Sequence, residues 1–327
     1  MKATFMQRVG NWTSANSALV AALLLFAFFG LSSQVFLLPN NIFNIFRQMS
    51  VVAVLGIGMT LVILIGGIDL SVSSSLFMTA GLSALLIRDG ISVEVAVPVG
   101  LLAATLVGLI NGLLVEGVGI SPVIATLGTL IGGRGLALVL MNNAQIRVTD
   151  PFFETIAITR TPGIESLKIP GLPLIALIVF ALYLIAAVLM RRTLYGRMVY
   201  AIGGNQTAAY LSGIPVRLVK IATYTLCGFC AGIAGLLIAA STGVISPNLG
   251  SGSEFYTIAA VVLGGTRLSG GVGRVEKTLI GAFILFMTLN WMTIRRVPTE
   301  WQQAATGLLV LAAIIIDRLA QRGRTSS

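Results

Sequence analysis

Residues 191–220 read RRTLYGRMVYAIGGNQTAAYLSGIPVRLVK, and the chain on both sides of them is strongly apolar. We name this stretch the basic segment, because it carries Arg191, Arg192, Arg197, Arg217 and Lys220. Lysine and arginine accumulate in the cytoplasmic loops of membrane proteins. The basic segment is therefore predicted to be a cytoplasmic surface on which a soluble partner docks and through which it moves the membrane-embedded remainder.

The centre of the basic segment carries the signals of a short, capped helix. Gly203–Asn205 predicts a turn, and residues 206–212 have helix-compatible spacing. Asn205 is a preferred N-cap residue, and Gly213 with Pro215 would end the helix.

Composition places the chain in a membrane. Of its 327 residues, 56% are hydrophobic and 10% are charged, whereas soluble domains carry about 25% charged residues. Apolar runs of about 20 residues cross a bilayer as helices and are too long for barrel strands. We predict an all-α polytopic membrane protein with about 8–10 transmembrane helices. The chain has a net charge of +10, and its basic residues lie between the apolar runs. This distribution indicates membrane topology rather than nucleic-acid binding.

The apolar runs divide the chain into ten candidate spans. They are residues 19–38, 42–65, 70–87, 93–115, 122–141, 174–190, 219–240, 256–263, 279–294 and 305–316, of which the eighth is too short to cross fully. The predicted transmembrane domain covers 18–318, with a periplasmic loop at about 142–171 and a cytoplasmic loop at about 191–218. The distribution of lysine and arginine places the segments 1–17 and 319–327 in the cytoplasm.

The sequence GGIDLSVSS, residues 66–74, interrupts an apolar run with two glycines and a carboxylate. An ionisable group at membrane depth usually faces a cavity or a partner, so Gly66, Gly67, Asp69 and Ser71 can mark a broken helix beside a translocation path. Asp69 can equally cap the third span at the membrane edge, through the amides of Ser71 and Val72. The two interpretations are compatible. Two further polar residues within spans, Asn111 and Arg134, are candidates for the same path.

A second interruption, residues 259–274, is rich in glycine and hydroxyl residues. We name 264–273 the glycine-rich turn; its candidate residues are Gly264, Gly265, Ser269, Gly270 and Gly271. Residues 271–278 resemble a phosphate loop, but Glu276 stands where such a loop needs glycine and would repel the anion. A tight turn is therefore the favoured interpretation.

The sequence gives little support for a catalytic, redox or metal site in this chain. Cys227 and Cys230 lie in an apolar run without histidine or a second cysteine pair, so small core residues are favoured over a redox or metal site. We predict a transport subunit that is not an enzyme and has no cofactor. Intramembrane acids for an ion relay are nearly absent, so the energy for uphill transport would come from another chain.

Four blocks in order give the chain a resemblance to a known family. GGIDLSVSS (66–74), SPVIATLGTL (121–130) followed by Arg134, AIGGNQTAAYLSGI (201–214) and AAVVLGGTRLSGGVGRV (259–275) resemble the permease subunit of carbohydrate-uptake ABC transporters of the ribose/xylose/arabinose type. The match covers about residues 41–311. Ser73, Arg267 and Glu276–Lys277 depart from the family pattern, which bears on local packing.

The resemblance implies a dimeric inner-membrane permease around a central path. It implies a cytoplasmic ATP-binding subunit and a periplasmic sugar-binding protein as partners, besides membrane lipid. The ATPase would push on a coupling loop whose matching residues are Gly204, Asn205, Ala208, Ala209, Ser212 and Gly213. Three alternatives stay open: an ABC permease for nucleosides or branched-chain amino acids, an ion-driven secondary transporter, and a membrane enzyme that uses Asp69 and the glycine-rich turns.

Overall fold

The computed structural model describes residues 16–163 and 171–325, and in that part of the chain a helix occupies each of the ten predicted span positions. The helices are α1 (Ser17–Ser32), α2 (Pro39–Leu64), α3 (Val72–Arg88), α4 (Val93–Leu113, continued by a π turn, Leu114–Val118), α5 (Pro122–Leu140), α6 (Pro151–Ile158), α7 (Leu174–Arg192), α8 (Leu194–Gly204), α9 (Gln206–Leu211), α10 (Val216–Thr242), α11 (Ser253–Leu263), α12 (Val275–Ile294) and α13 (Thr299–Thr325). The strands β1 (Ile146–Arg147) and β2 (Val244–Ile245) pair antiparallel.

Several of these helices are suited to a bilayer. Six are long and apolar enough to cross it, namely α2, α4 with its π turn, α5, α7, α10 and α12. Helices α1, α3 and α11 are apolar but shorter. The predicted all-α polytopic fold is confirmed.

Helix α2 runs through the centre of the bundle. Every residue from Met49 to Ile65 is buried, and α10, α12, α11 and α7 pack around it. The few polar groups there are paired: Thr60 Oγ1 lies 2.7 Å from Thr278 Oγ1 on α12, and the Tyr183 hydroxyl donates to the Ala53 carbonyl at 2.9 Å. Because α2 touches most of the bundle, a displacement of its ends would reach most of the other helices.

Helices α4 and α10 meet backbone to backbone. A Cβ added at Gly108 would overlap the carbonyl of Tyr224, and one added at Gly228 would overlap the carbonyl of Ala104. Small residues allow this approach in membrane helices, where van der Waals packing drives association.

The bundle has two distinct ends. At one end, which we name the junction end, Leu64, Gly203 and Gly271 come together. At the opposite, far end lie the β1–β2 pair and the contact of the Arg295 guanidinium with the Ser32 carbonyl. Consecutive spans run in opposite directions, so the residues just after α2, from Ile65 to Gly66, and the basic segment share the junction end.

Some boundaries differ from the sequence predictions. The predicted first span runs to residue 38, but α1 ends at Ser32, and the final helix continues to Thr325 rather than stopping at residue 316. Gly203 and Gly204 belong to the last turn of α8, so only Asn205 leaves the helical conformation. The stretch 142–171 contains β1 and α6, and its residues 164–170 lie outside the described part of the chain, as do 1–15 of the predicted N-terminal segment.

Candidate functional site

Two helix ends and one turn pack together at the junction end through their backbones. The Gly271 amide donates a hydrogen bond to the Leu64 carbonyl at 2.9 Å. A Cβ added at Gly203 would overlap that carbonyl and crowd the Gly271 amide. We name Leu64, Gly203 and Gly271 the junction. It joins the end of α2, the end of α8 and the glycine-rich turn.

Glycine at the junction is a geometric requirement. Gly66 has φ +80° and Gly271 has φ +71°, and this left-handed region disfavours side chains. Gly270, at φ +87°, packs against the Leu64 carbonyl and the Gly66 amide. The Arg267 amide closes the turn on the Val272 carbonyl at 2.9 Å. The glycine-rich turn is therefore a tight structural turn, as the sequence favoured. Its backbone packs against the backbone of neighbouring segments.

The rest of that turn has separate contacts. Gly264 faces the carbonyl of Lys277 at the start of α12, so a side chain there would collide with α12. Gly265 has φ +86° and open space beside it, and Ser269 is exposed. Of the five predicted residues, Gly264, Gly270 and Gly271 thus pack against neighbouring backbone, whereas Gly265 and Ser269 face solvent.

The short helix α9 lies beside the junction and presents an exposed surface. The Asn205 Oδ1 accepts a hydrogen bond from the Ala208 amide at 3.0 Å, which confirms the predicted N-cap. The Ser212 hydroxyl donates to the Ala208 carbonyl, and Gly213 at φ +81° ends the helix. Ala209 is buried, but Gly204, Asn205 and Ala208 are exposed.

Exposed apolar side chains stand on α9 among basic ones. Tyr210 is 71% exposed and Leu211 is 79% exposed. Arg197 and Arg217 are also exposed, on the neighbouring helices α8 and α10. Apolar side chains rimmed by charge are typical of a protein-binding surface.

Side-chain contacts brace the junction from the side. Arg191 at the end of α7 forms an ion pair with Glu276 on α12, with 2.6 Å between Nε and Oε1. The Tyr200 hydroxyl donates to the Gly273 carbonyl at 2.9 Å. Partial burial raises the pKa of Tyr200, and the nearby Glu276 carboxylate adds to the rise. The phenol therefore stays neutral and able to donate.

A buried polar cluster lies about two helical turns inward from the junction end. We name Asp69, Ser71, Asn111 and Thr129 the Asp69 cluster. Asp69 Oδ1 accepts from the Ser71 amide at 2.9 Å and the Ser71 hydroxyl at 2.6 Å. Asn111 Nδ2 donates to Ser71 Oγ at 2.7 Å and Asn111 Oδ1 accepts from Thr129 Oγ1 at 2.7 Å. The cluster joins α3, α4 and α5.

Asp69 was interpreted either as a helix cap at the membrane edge or as a residue beside a translocation path, and the structure has features of both. It accepts from the Ser71 amide as a capping residue does, but it is 1% exposed rather than at a membrane edge. Among the described hydrogen bonds the Asp69 carboxylate accepts from Ser71 and Asn111 and not from the predicted Val72 amide. The other carboxylate oxygen, Oδ2, is buried without a hydrogen-bond partner in the described part of the chain. Gly67 packs so closely against the Tyr224 hydroxyl that a Cβ would overlap it.

Arg134 lies apart from the Asp69 cluster, five residues beyond Thr129 on α5 and beside Phe77 of α3. Its Nη2 donates to the Pro247 carbonyl at 2.8 Å and to the Leu249 carbonyl at 3.3 Å. Its guanidinium lies 4.9 Å from the centre of the Phe77 ring. Arg134 thus ties α5 to the loop before α11, and the structure does not bring it together with the other predicted path residues.

Comparison with known proteins identifies the family to which the chain belongs. A family described as the permease component of the branched-chain amino acid transport system matches residues 41–314. The ribose import permease of Escherichia coli K12 is 37% identical over 310 residues, which cover 95% of both chains. The chain belongs to this permease family.

Further relatives of the permease carry other names. The D-allose transport system permease of Escherichia coli K12 is 34% identical and the alignment covers 95% of this chain and 93% of that one. The L-arabinose ABC transporter permease of Azospirillum brasilense is 31% identical, with coverage of 97% and 92%. No solved structure matches the permease. The resemblance found in the four sequence blocks is confirmed.

Sequence reasoning missed several residues of the permease that matter in the structure. Gly203, next to the predicted Gly204, makes the close contact at the junction. Thr129 completes the Asp69 cluster, and Lys220 Nζ lies 2.9 Å from Glu116 Oε1 with both side chains largely buried. The spacing of Thr126 and Thr129, three residues apart at the start of an apolar span, was an available signal for a polar helix face.

The cysteines and acids of the permease show no metal site in the part that the structure describes. Cys227 and Cys230 are both free thiols on α10, and Cys227 is buried against Gly58 of α2. This packing agrees with the interpretation of both as small core residues.

Proposed function

We propose that this permease is the membrane-spanning subunit of an ATP-driven importer that translocates a monosaccharide. The observation that carries the proposal is the set of relatives named for ribose, D-allose and L-arabinose transport, each aligned over more than nine-tenths of this chain. A separate ATP-binding subunit would supply the energy and a periplasmic binding protein would deliver the sugar. The permease would lie in a bacterial inner membrane as a dimer, with both termini in the cytoplasm.

The route for the energy runs from the exposed helix α9 to the core. An ATPase docked on Tyr210 and Leu211 would push α9, and Asn205 links α9 directly to the end of α8. The last turn of α8 holds Gly203 against Leu64 and Gly271. A displacement of α8 would therefore be passed to α2 and to the glycine-rich turn before α12. The Asp69 cluster, which ties three other helices together close to this end, would limit the motion or accompany it.

The proposal is tested by separating ATP hydrolysis from uptake. The complete importer is reconstituted in vesicles, and uptake of D-ribose, D-allose, L-arabinose, L-leucine and uridine is measured together with ATPase activity. We expect uptake of at least one sugar in the presence of ATP and the binding protein. Asn205→Ala should lower uptake per ATP hydrolysed, whereas Asn205→Asp, which keeps the cap, should not.

Other outcomes point to the alternatives. Uptake of leucine or uridine alone would reassign the substrate class. Ion-driven uptake by vesicles that hold only this chain would replace the proposal with a secondary transporter.

A further inference from the structure

A second polar site lies at the far end of the bundle, away from the residues discussed above. The start of α2, the last turn of α10, the first turn of α11 and the side of α12 enclose a cavity of about 470 Å³. We name it the far-end pocket and define it by Asn44, Arg47, Gln48, Thr242, Tyr256 and Phe286. Its size falls within the range of about 300–1,000 Å³ that is typical of small-molecule sites.

The polar wall of this pocket belongs to a helix that crosses the membrane. Asn44, Arg47 and Gln48 are three and four residues apart, so they share one face of α2. At 1.5 Å per residue they lie about 8 to 14 Å from the start of the helix. A cation and two amides at that depth face water or protein rather than lipid, because their exposure to hydrocarbon is costly. An aqueous recess that opens toward the far end would meet this requirement.

Many hydrogen-bonding groups in the pocket are unused. Among the described residues, the side chains of Asn44, Gln48, Ser253 and Tyr256 have no hydrogen-bond partner. Two amides and two hydroxyls offer donors and acceptors without charge.

The charges of the pocket narrow the class of ligand further. Arg47 is already engaged, because its Nη2 donates to the Ser241 carbonyl, and no carboxylate of the described residues lines the cavity. The Phe286 ring adds an apolar wall. This combination fits a neutral molecule with several hydroxyl groups and one C–H face.

We propose that the far-end pocket binds a monosaccharide as a neutral polyol, and that it is the first site the sugar occupies in the permease after leaving the binding protein. This inference rests on the proposed function and adds to it the residues that hold the sugar. Asn44 and Gln48 would hydrogen-bond adjacent hydroxyl groups, Ser253 and Tyr256 would bind from α11, and Phe286 would face the C–H side.

Cysteine labelling tests whether the pocket is wet and whether sugar occupies it. Asn44→Cys and Gln48→Cys are made in the complete importer, and sealed vesicles are treated from the far-end side with a charged, membrane-impermeant thiol reagent. Both should react. The native chain should not, because Cys227 is buried and Cys230 is partly buried on α10, and neither should Leu24→Cys, on the exposed face of α1. Excess D-ribose, D-allose or L-arabinose should slow the reaction severalfold, whereas sodium gluconate should not.

Uptake gives the second readout. Gln48→Leu should lower sugar uptake per ATP hydrolysed by about tenfold, since the loss of hydrogen bonds to a bound polar ligand is worth roughly that factor. Gln303→Leu, the same change at an exposed position of α13, should leave uptake unchanged.

The possible outcomes distinguish a failure of the pocket proposal from a failure of the proposed function. Unreactive cysteines, or labelling that none of the sugars slows while the native importer takes up sugar, would overturn the pocket and leave the proposed function standing. Protection by gluconate alone would show an anion site and overturn the neutral-polyol assignment. Uptake of leucine with no uptake of any sugar would overturn the proposed function and the sugar site together.

Discussion

The amide of Gly271 donates a 2.9 Å hydrogen bond to the carbonyl of Leu64, which joins the glycine-rich turn to the last residue of α2. Gly203 lies against the same carbonyl from the end of α8. The capped helix α9, which carries the exposed Tyr210 and Leu211, follows α8 after the single residue Asn205. The buried central helix is thus only one backbone contact away from the surface on which a soluble partner would dock.

The two adjacent glycines at the end of α8 give a matched test of the junction. Gly203→Ala places a Cβ against the Leu64 carbonyl and should destabilise the fold by about 1–3 kcal/mol through overpacking. Gly204→Ala meets no atom within 4 Å and should leave stability within about 0.5 kcal/mol. Thermal unfolding of the purified permease in detergent measures both, and equal effects would contradict the close contact.

A substitution at Thr129 tests the contribution of the Asp69 cluster to stability with little change in side-chain volume. Thr129→Val removes the donor to Asn111 Oδ1 and leaves that acceptor unsatisfied, at a cost of about 1–3 kcal/mol. Thr105→Val is the control, because the Thr105 hydroxyl bonds only the Leu101 carbonyl of its own helix. Unfolding in detergent should show a clear drop in stability for the first variant alone. A drop of the same size in both would mean that the cluster adds nothing specific.

The ion pair between Lys220 and Glu116 should be worth more than a surface pair. Its side chains are 13% and 14% exposed, so Lys220→Met leaves a shielded carboxylate without its partner, at a cost of about 3–5 kcal/mol. The double variant with Glu116→Gln should recover most of the loss. Arg88→Met breaks a pair whose side chains are 49% and 54% exposed and should cost less than about 1 kcal/mol. Unfolding measurements that ranked the two single variants the other way would refute this.

Leu211 tests the docking surface on α9. Leu211→Ser should leave stability nearly unchanged, since the side chain is 79% exposed. It should weaken the association with the ATP-binding subunit by about tenfold if it lies at the centre of the contact. Ile158→Ser is the matched control, because Ile158 is 74% exposed on α6 at the far end. Co-purification or titration of the subunit measures the difference, and equal binding by both variants would place the docking surface elsewhere.

The sequence predicted the elements that depend on local chemistry. Apolar runs located the spans, and Asn205 with Gly213 located α9, because hydropathy and capping act over a few residues. Contacts between distant segments had no such signal. The choice of Gly203 rather than Gly204 as the packed glycine depends on which side of α8 meets Leu64 and Gly271, and only the tertiary fold fixes this.

Polar residues inside spans were the hardest to interpret. Asp69 and Asn111 are polar interruptions, and both were singled out as path candidates; the structure places them in one cluster. Arg134 carries the same signal but binds the Pro247 carbonyl. Arg47 falls within the predicted second span and lies eight residues into α2, but it was not singled out as a path candidate. Its spacing from Asn44 and Gln48 marked a polar face, but that pattern has meaning only once α2 is known to begin at Pro39.

The glycine-on-glycine contact of α4 and α10 also has a mechanical consequence. Two helices that touch backbone to backbone have no side-chain layer between them that could deform, and the buried Lys220–Glu116 pair fastens them at the junction end. We therefore expect the two helices to move together as one rigid unit. A push that enters at Val216, just after α9, reaches Thr242 about 40 Å away at 1.5 Å per residue. Thr242 lines the far-end pocket, so on the proposed function a stroke delivered at one end of the permease would change the shape of that pocket at the other.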